Sequence, residues 1–328
     1  MNRPRTFVRG LLVAGALVAV GHPAHAQTRR DTLLVVVKGD SALAVVDTAS
    51  GKVVSRIPTG KTPHNVAASP DGKLAFVGNV GDDTLSIIDL TTQKELRRVE
   101  IGPRARPHGL VYAEGRLYFT ADGYKLIGCY DVAGNRMEWL LGTGVSRGEM
   151  LVLSKDRNTL FTANNTANAV VAIQRVENPP DWALTVIPVG MGPQGIDMSP
   201  DGSEVWVVHE NDGSVAIIDV AAKKVVQTLM MPGTRRANRL KFSPDGRRVL
   251  VTDTDAGLVV FDAAARKEAG RVPIGPGMAD IIVQPDGARA FVASGDGSVA
   301  VVDMRTLKLV GRMPVGTTPE GMAWVAGN

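Results

Sequence analysis

The chain has 328 residues, 44% of them hydrophobic, with a single Cys and a formal charge of +4. One cysteine excludes an intrachain disulfide and a cysteine-based metal cluster. Residues 1–26 carry three Arg and no acid, so the remainder sets 34 basic residues against 33 acidic ones, and the net charge does not argue for a nucleic-acid partner.

Arg3, Arg5 and Arg9 precede the apolar run Leu11–Val20, and Ala24-His25-Ala26 has the small-x-small pattern of a secretory cleavage site. That run is half the ~20 apolar residues a bilayer span needs. Residues 1–26 are therefore expected to be a removed signal peptide and 27–32 a short linker. Residues 33–328 are then one domain of a periplasmic or secreted protein with no transmembrane anchor.

From residue 33 onward the chain repeats itself. A turn reads SPDG at 69, 199 and 243 and QPDG at 284, with degenerate copies at Ala113 (AEGR), Ser154 (SKDR) and Val325 (VAGN). The spacings are 44, 41, 45, 44, 41 and 41 residues. An acid closing an apolar run keeps the same period at Asp47, Asp89, Asp131, Asp219, Asp262 and Asp303, with Gln174 in the fourth copy. Each unit reads as four strands; in the second these are HNVAAS, KLAFVGN, TLSIIDL and KELRRVEIG. Pro70 and Gly72 suit a tight turn, and Asp71 can bond neighbouring amides. Four strands every 40 to 45 residues predict a propeller blade. Residues 33–60 supply only three strands and PEGMAWVAGN only one, so the C-terminal strand should complete the first blade and close a seven-bladed ring.

FVGN at 76–79, FTAN at 161–164 and LVTD at 250–253, each followed by a strand ending in IID, IQ or FD, resemble the YVTN repeat. The chain thus resembles the periplasmic YVTN-repeat (YncE-like) seven-bladed β-propellers, which are themselves similar to surface-layer proteins and to the haem d1 domain of nitrite reductases. The resemblance implies an all-β propeller over the whole domain. It carries no single activity, because the family includes binding, surface and cofactor-bearing proteins.

Function is therefore read from positions where the copies differ. Five residues before each turn, where the innermost strand begins, stand His64, His108, Glu149, Gln194, Asn238, Ala279 and Glu320. These should ring one mouth of the central channel. A second ring is expected from the loops ending each second strand, at Lys38, Asn79, Ala121, Asn164, His209, Asp253 and Ser294. His64, His108 and Glu149 are a candidate divalent-metal set. The loops PTGKTPH, GPRARPHG, TGVSRGE and PGTRRANR add Lys61, Arg104, Arg106, Arg147, Arg235, Arg236 and Arg239, against the acids Glu149, Asp280 and Glu320. A basic face suits an anionic small molecule or a protein partner. Without aromatics between the arginines, nucleic acid is disfavoured, and a monomer is expected.

GVSRG at 144–148 has the G-x-S-x-G spacing but leads into a strand-like run and not a helix, so it is no nucleophile elbow, and neither an H-E-x-x-H nor a Walker A motif occurs. Asp131 and Trp139 have the spacing of a quinoprotein repeat, but no other unit pairs a Trp there. Cys129, in LIGCYD, reads as buried filler, and the recurrent aspartates as scaffold. In the fourth copy QRVENPPDWAL replaces the usual turn, as a loop extension or a docking element on the face opposite the rings. The leading expectation is a non-catalytic binding propeller with no assigned catalytic residue. The alternatives are a metal- or haem-bearing subunit using His64, His108, Glu149 and His209, or a lactonase-like hydrolase.

Overall fold

The computed structural model of the chain describes Met1 and residues 31–145, 147–176 and 181–327. The expected signal peptide, most of the linker and residues 177–180 of the fourth-copy insertion lie outside the described residues. Seven sheets of four antiparallel strands form a ring, which is a seven-bladed β-propeller. Blade one joins Pro319–Val325 to Thr32–Val37, Ala42–Asp47 and Lys52–Pro58, so the last strand closes the ring as the strand count predicts. Closure gives the first blade its fourth strand, so all seven blades are complete.

Strand burial follows position in the blade. The second and third strands are covered on both faces by neighbouring blades and are almost wholly apolar, as in Leu74–Asn79 and Thr84–Asp89. The outer strand Lys94–Glu100 alternates exposed and half-buried residues, because one of its faces meets water. Aromatic edges fill the inter-blade space; Trp206 meets Phe242 and Phe261 at 5.6 and 6.2 Å between centroids.

The repeated turn is scaffold. Ser69 Oγ donates to Asp71 Oδ1 (2.6 Å) and accepts from the Leu74 amide (2.9 Å), while Gly72 sits at φ 64°. The aspartates closing the third strands accept amides of the next turn, as Asp89 does from Thr91 and Thr92. The inner strands start at one mouth of the channel and run to these turns on the opposite face. Three start with a glycine as third residue because the next blade arrives there: a Cβ on Gly109 would lie 2.6 Å from the Glu149 carbonyl, and one on Gly321 2.7 Å from that of His64.

Candidate functional site

Four of the seven inner-strand positions form one contiguous charged arc over blades one to four. His64 and His108 occupy the second position of Pro63–Ala68 and Pro107–Ala113, and their rings lie in contact, centroids 3.9 Å apart and planes tilted by 35°. Each imidazole faces a carboxylate on its other flank. His64 Nε2 lies 3.7 Å from Glu320 Oε2, and His108 Nε2 lies 3.3 Å from Glu149 Oε2. Each carboxylate in turn meets a cation, with Lys38 Nζ 3.0 Å from Glu320 and Arg147 Nε 2.6 Å from Glu149 Oε1. The Arg147 contact is an ion pair. The sequence cation–carboxylate–imidazole therefore runs inward from both ends and meets at the histidine pair.

Burial decides the protonation of that pair. It holds His64 well below its ordinary value, and the neighbouring His108 and then Arg239 push the same way. His108 is held down to about 3, chiefly by burial and next by Arg239, with Asp122 opposing. Both rings are neutral at pH 7, and Nδ1 of His64 is buried without a hydrogen-bond partner. Burial raises Glu149, while Arg147 and Arg239 lower it.

The arginines of these loops stand in different environments. Arg106 meets Asp122 at 3.4 Å, and Arg147 reaches the same carboxylate at 4.0 Å. Both precede inner strands in the left-handed region, at φ 53° and 55°, where blades five and seven use Gly192 and Gly277. A non-glycine residue there costs about 1–2 kcal/mol. Arg104, Arg235 and Arg236 are exposed, and Arg236 lies 3.8 Å from Glu210. Arg239 is 6% exposed and turns into the channel, where it donates to Asn238 Oδ1 at 2.7 Å. Below the mouth the channel is a cavity of about 310 Å³, with Arg239, Lys241, Asp197 and Asp280 in its wall.

Two expectations are corrected. His64, His108 and Glu149 do not converge on a common point, because the imidazoles lie against each other and the carboxylate faces Arg147. Among the described residues no group of three or more His, Cys, Asp or Glu is arranged to hold a metal ion. The second polar ring also fails to reach the mouth. His209 is fully buried in its own blade, accepting from the Gly190 amide at 3.1 Å and bonded to Ser214 Oγ at 2.7 Å. Asn79, Ala121, Asn164, Asp253 and Ser294 are buried likewise. The residue after these faces the site: Lys38 follows Val37, Asp122 follows Ala121 and Glu210 follows His209. A one-residue slip along a strand end exchanges its faces, and Lys38 stands in the expected ring because it was aligned one place off. The signal available for Asp122 and Glu210 was that period-two alternation.

Gln194 and Asn238 complete a second, neutral arc. Gln194 donates to Glu210 at 3.0 Å, and Asn238 donates to the carbonyls of Met278 and Ala279 at 3.4 and 3.3 Å. No helix of the described residues is long and apolar enough to cross a membrane.

The cytochrome D1 heme domain family matches this chain over residues 161–288. The dihydro-heme d1 dehydrogenase of Pseudomonas aeruginosa is 22% identical over 296 residues, covering 72% of this chain and 59% of that protein. The chain thus spans about three-fifths of the length of the curated relative it matches. The structure of dihydro-heme d1 dehydrogenase NirN in complex with DHE superposes with a TM-score of 0.65 at 16% identity, over 92% of this chain and 77% of that one. A putative 6-phosphogluconolactonase from Bacteroides fragilis gives 0.77 at 16% identity, over 93% and 100%. These structural likenesses concern the fold.

Proposed function

We propose that this chain is an exported propeller that binds an iron tetrapyrrole of the haem d1 class over the charged arc of its channel mouth. The observation that carries this reading is the closely apposed, neutral pair His64 and His108 inside a collar of cations. A neutral imidazole is the form that ligates iron, and the buried, unpartnered Nδ1 of His64 is a donor atom with no partner in the fold. Tetrapyrroles carry carboxylates, which guanidinium groups bind bidentately; Arg106, Arg147 and Arg236 are the exposed groups placed to take them. Glu320 and Glu149 flank the two rings on their Nε2 side, and His108 Nδ1 is hydrogen-bonded to the Glu149 carbonyl at 3.3 Å. Arg106 and Arg147 sit in a left-handed backbone conformation that Thr62 and Thr318 share and that Gly192 and Gly277 fill without a side chain, so all four side chains are held at a local cost. When bound, the iron supplies an open coordination position and redox chemistry. The likeness to the haem d1 domain family supports a cofactor-bearing propeller over an empty scaffold.

A lactonase-like reading has less support. It needs His108 to take a proton, and burial holds that ring at about 3.

The test is the native mass and absorption spectrum of protein purified from its own periplasm, followed by titration with haem d1. Saturable binding with a spectrum altered by His64→Ala is expected. No bound chromophore and no saturable titration would overturn the proposal.

A further inference from the structure

On the face opposite the histidines, blades three and four enclose a cavity of about 340 Å³. Its size is that of an ordinary small-ligand pocket. Three aromatic side chains line it: Trp139 meets Trp182 at 4.7 Å between centroids and Tyr118 at 6.1 Å. Trp139 is peculiar to this blade. The residues that hold the same register on the other outer strands are Ser55, Arg97, Thr185, Gln227, Gly270 and Gly311, as their pairing with the third strands shows. Trp182 is placed by an extra cross-strand pair, with Arg175, that lengthens the outer hairpin of blade four.

Arg116, Arg136, Arg157 and Arg175 also line the cavity, against the single carboxylate of Glu138. Arg116 engages Glu138 through two hydrogen bonds, at 2.8 and 3.0 Å, and Arg157 pairs with Glu114 at the rim. Arg175 has no ion-pair partner among the described residues. Arg157 also departs from the repeat. It occupies the last position of the SPDG-type turn at φ 62°, where Gly72, Gly202, Gly246 and Gly287 sit at 64° to 80°. In blade four the turn thus gives up its glycine for a side chain that faces this cavity while keeping the left-handed backbone, and such strain marks a functional position.

We propose that the cleft is a second binding site, for an acidic sugar. The C–H face of a pyranose ring packs on indole, and a uronic-acid carboxylate matches the planar fork of Arg157 and Arg175. The indoles are tilted by 56° and form a corner, which accepts a single puckered ring better than a stack of flat bases.

The experiment is a titration of the mature protein with trigalacturonate, followed by tryptophan fluorescence and calorimetry, with neutral maltotriose as the control. Saturable binding of the acidic sugar alone is expected, weakening with salt. Arg157→Gly, which restores the residue used elsewhere in the ring, and Trp139→Ser should each weaken it about tenfold or more. Thermal unfolding of both variants establishes that they fold. Absence of saturable binding, or binding indifferent to both substitutions, would overturn the site. Tighter binding of benzoate than of trigalacturonate would overturn the sugar assignment.

Discussion

The two arcs of the channel mouth are built on the same backbone and differ in chemistry. From blade one to blade four the inner strands begin with Glu320, His64, His108 and Glu149; from blade five to blade seven they begin with Gln194, Asn238 and Ala279. The charged arc holds Arg106 and Arg147 in left-handed turns where the neutral arc has Gly192 and Gly277. The neutral arc makes its contacts inward, to the carbonyls of Met278 and Ala279 and to Glu210. Propeller symmetry therefore sets where the side chains stand, and the departures from symmetry set what they can bind.

The largest test of this division is Arg239, which the neutral arc sends into the channel together with Lys241. It is enclosed, and its charge lowers both Glu149 and Asp280, which burial otherwise raises. Arg239→Met takes the nearby positive charge from two buried carboxylates and should cost about 1–3 kcal/mol, the range for leaving a buried polar group unsatisfied, measured by chemical denaturation. A loss below about 1 kcal/mol, the range of exposed pairs, would mean that water in the channel already solvates those carboxylates and that the arcs are not coupled.

Two histidines from opposite arcs sharpen the same contrast. His64→Ala should weaken tetrapyrrole binding at least about tenfold, the loss expected on removing a ligand-orienting group. His209→Asn should leave it unchanged, because His209 bonds inside its own blade and Asn79 already holds the equivalent position. Equal losses would show that the buried ring of loops takes part after all.

The histidine pair also has a pH signature. Both rings have folded values below the ordinary 6.5, so as pH falls from 6.5 the unfolded chain takes up protons that the folded chain refuses. Stability should fall in that direction, with each ring contributing up to about 1.4 kcal/mol per pH unit. For His108 the loss ends near pH 3. Glu149 and Asp280 work the other way, since their raised values let the folded state bind protons first. Denaturation at pH 5 and 6 should show a shallower slope for His108→Asn than for the unsubstituted chain. An unchanged slope would mean that the ring is solvated.

The fold was legible because its signals repeat. The SPDG turn and the aspartate after each third strand are local devices, and a local device is visible in a local string. The charged arc was legible in part: His64, His108, Glu149 and Glu320 follow from counting five residues back from each turn. The second ring was not, because its register rests on cross-strand pairing; Val37 pairs with Ala42 as Asn79 pairs with Thr84. The metal set failed for a related reason. Side chains equivalent by position in neighbouring blades lie side by side, which favours apposed rings over converging donors.

Arg106 offers the smallest effect and the finest division between scaffold and site. At φ 53° its backbone favours glycine, so Arg106→Gly removes a strain of about 1 kcal/mol. The same change loses a half-exposed pair with Asp122, a loss of about 0–1 kcal/mol. Stability should therefore hold or rise by up to about 1 kcal/mol while the affinity for a carboxylate-bearing ligand falls. Thermal unfolding and titration on the same sample separate the two. If stability and affinity fell together, Arg106 would be a scaffold residue, and the charged arc would differ from the neutral one in how it holds its turns and not in what it holds.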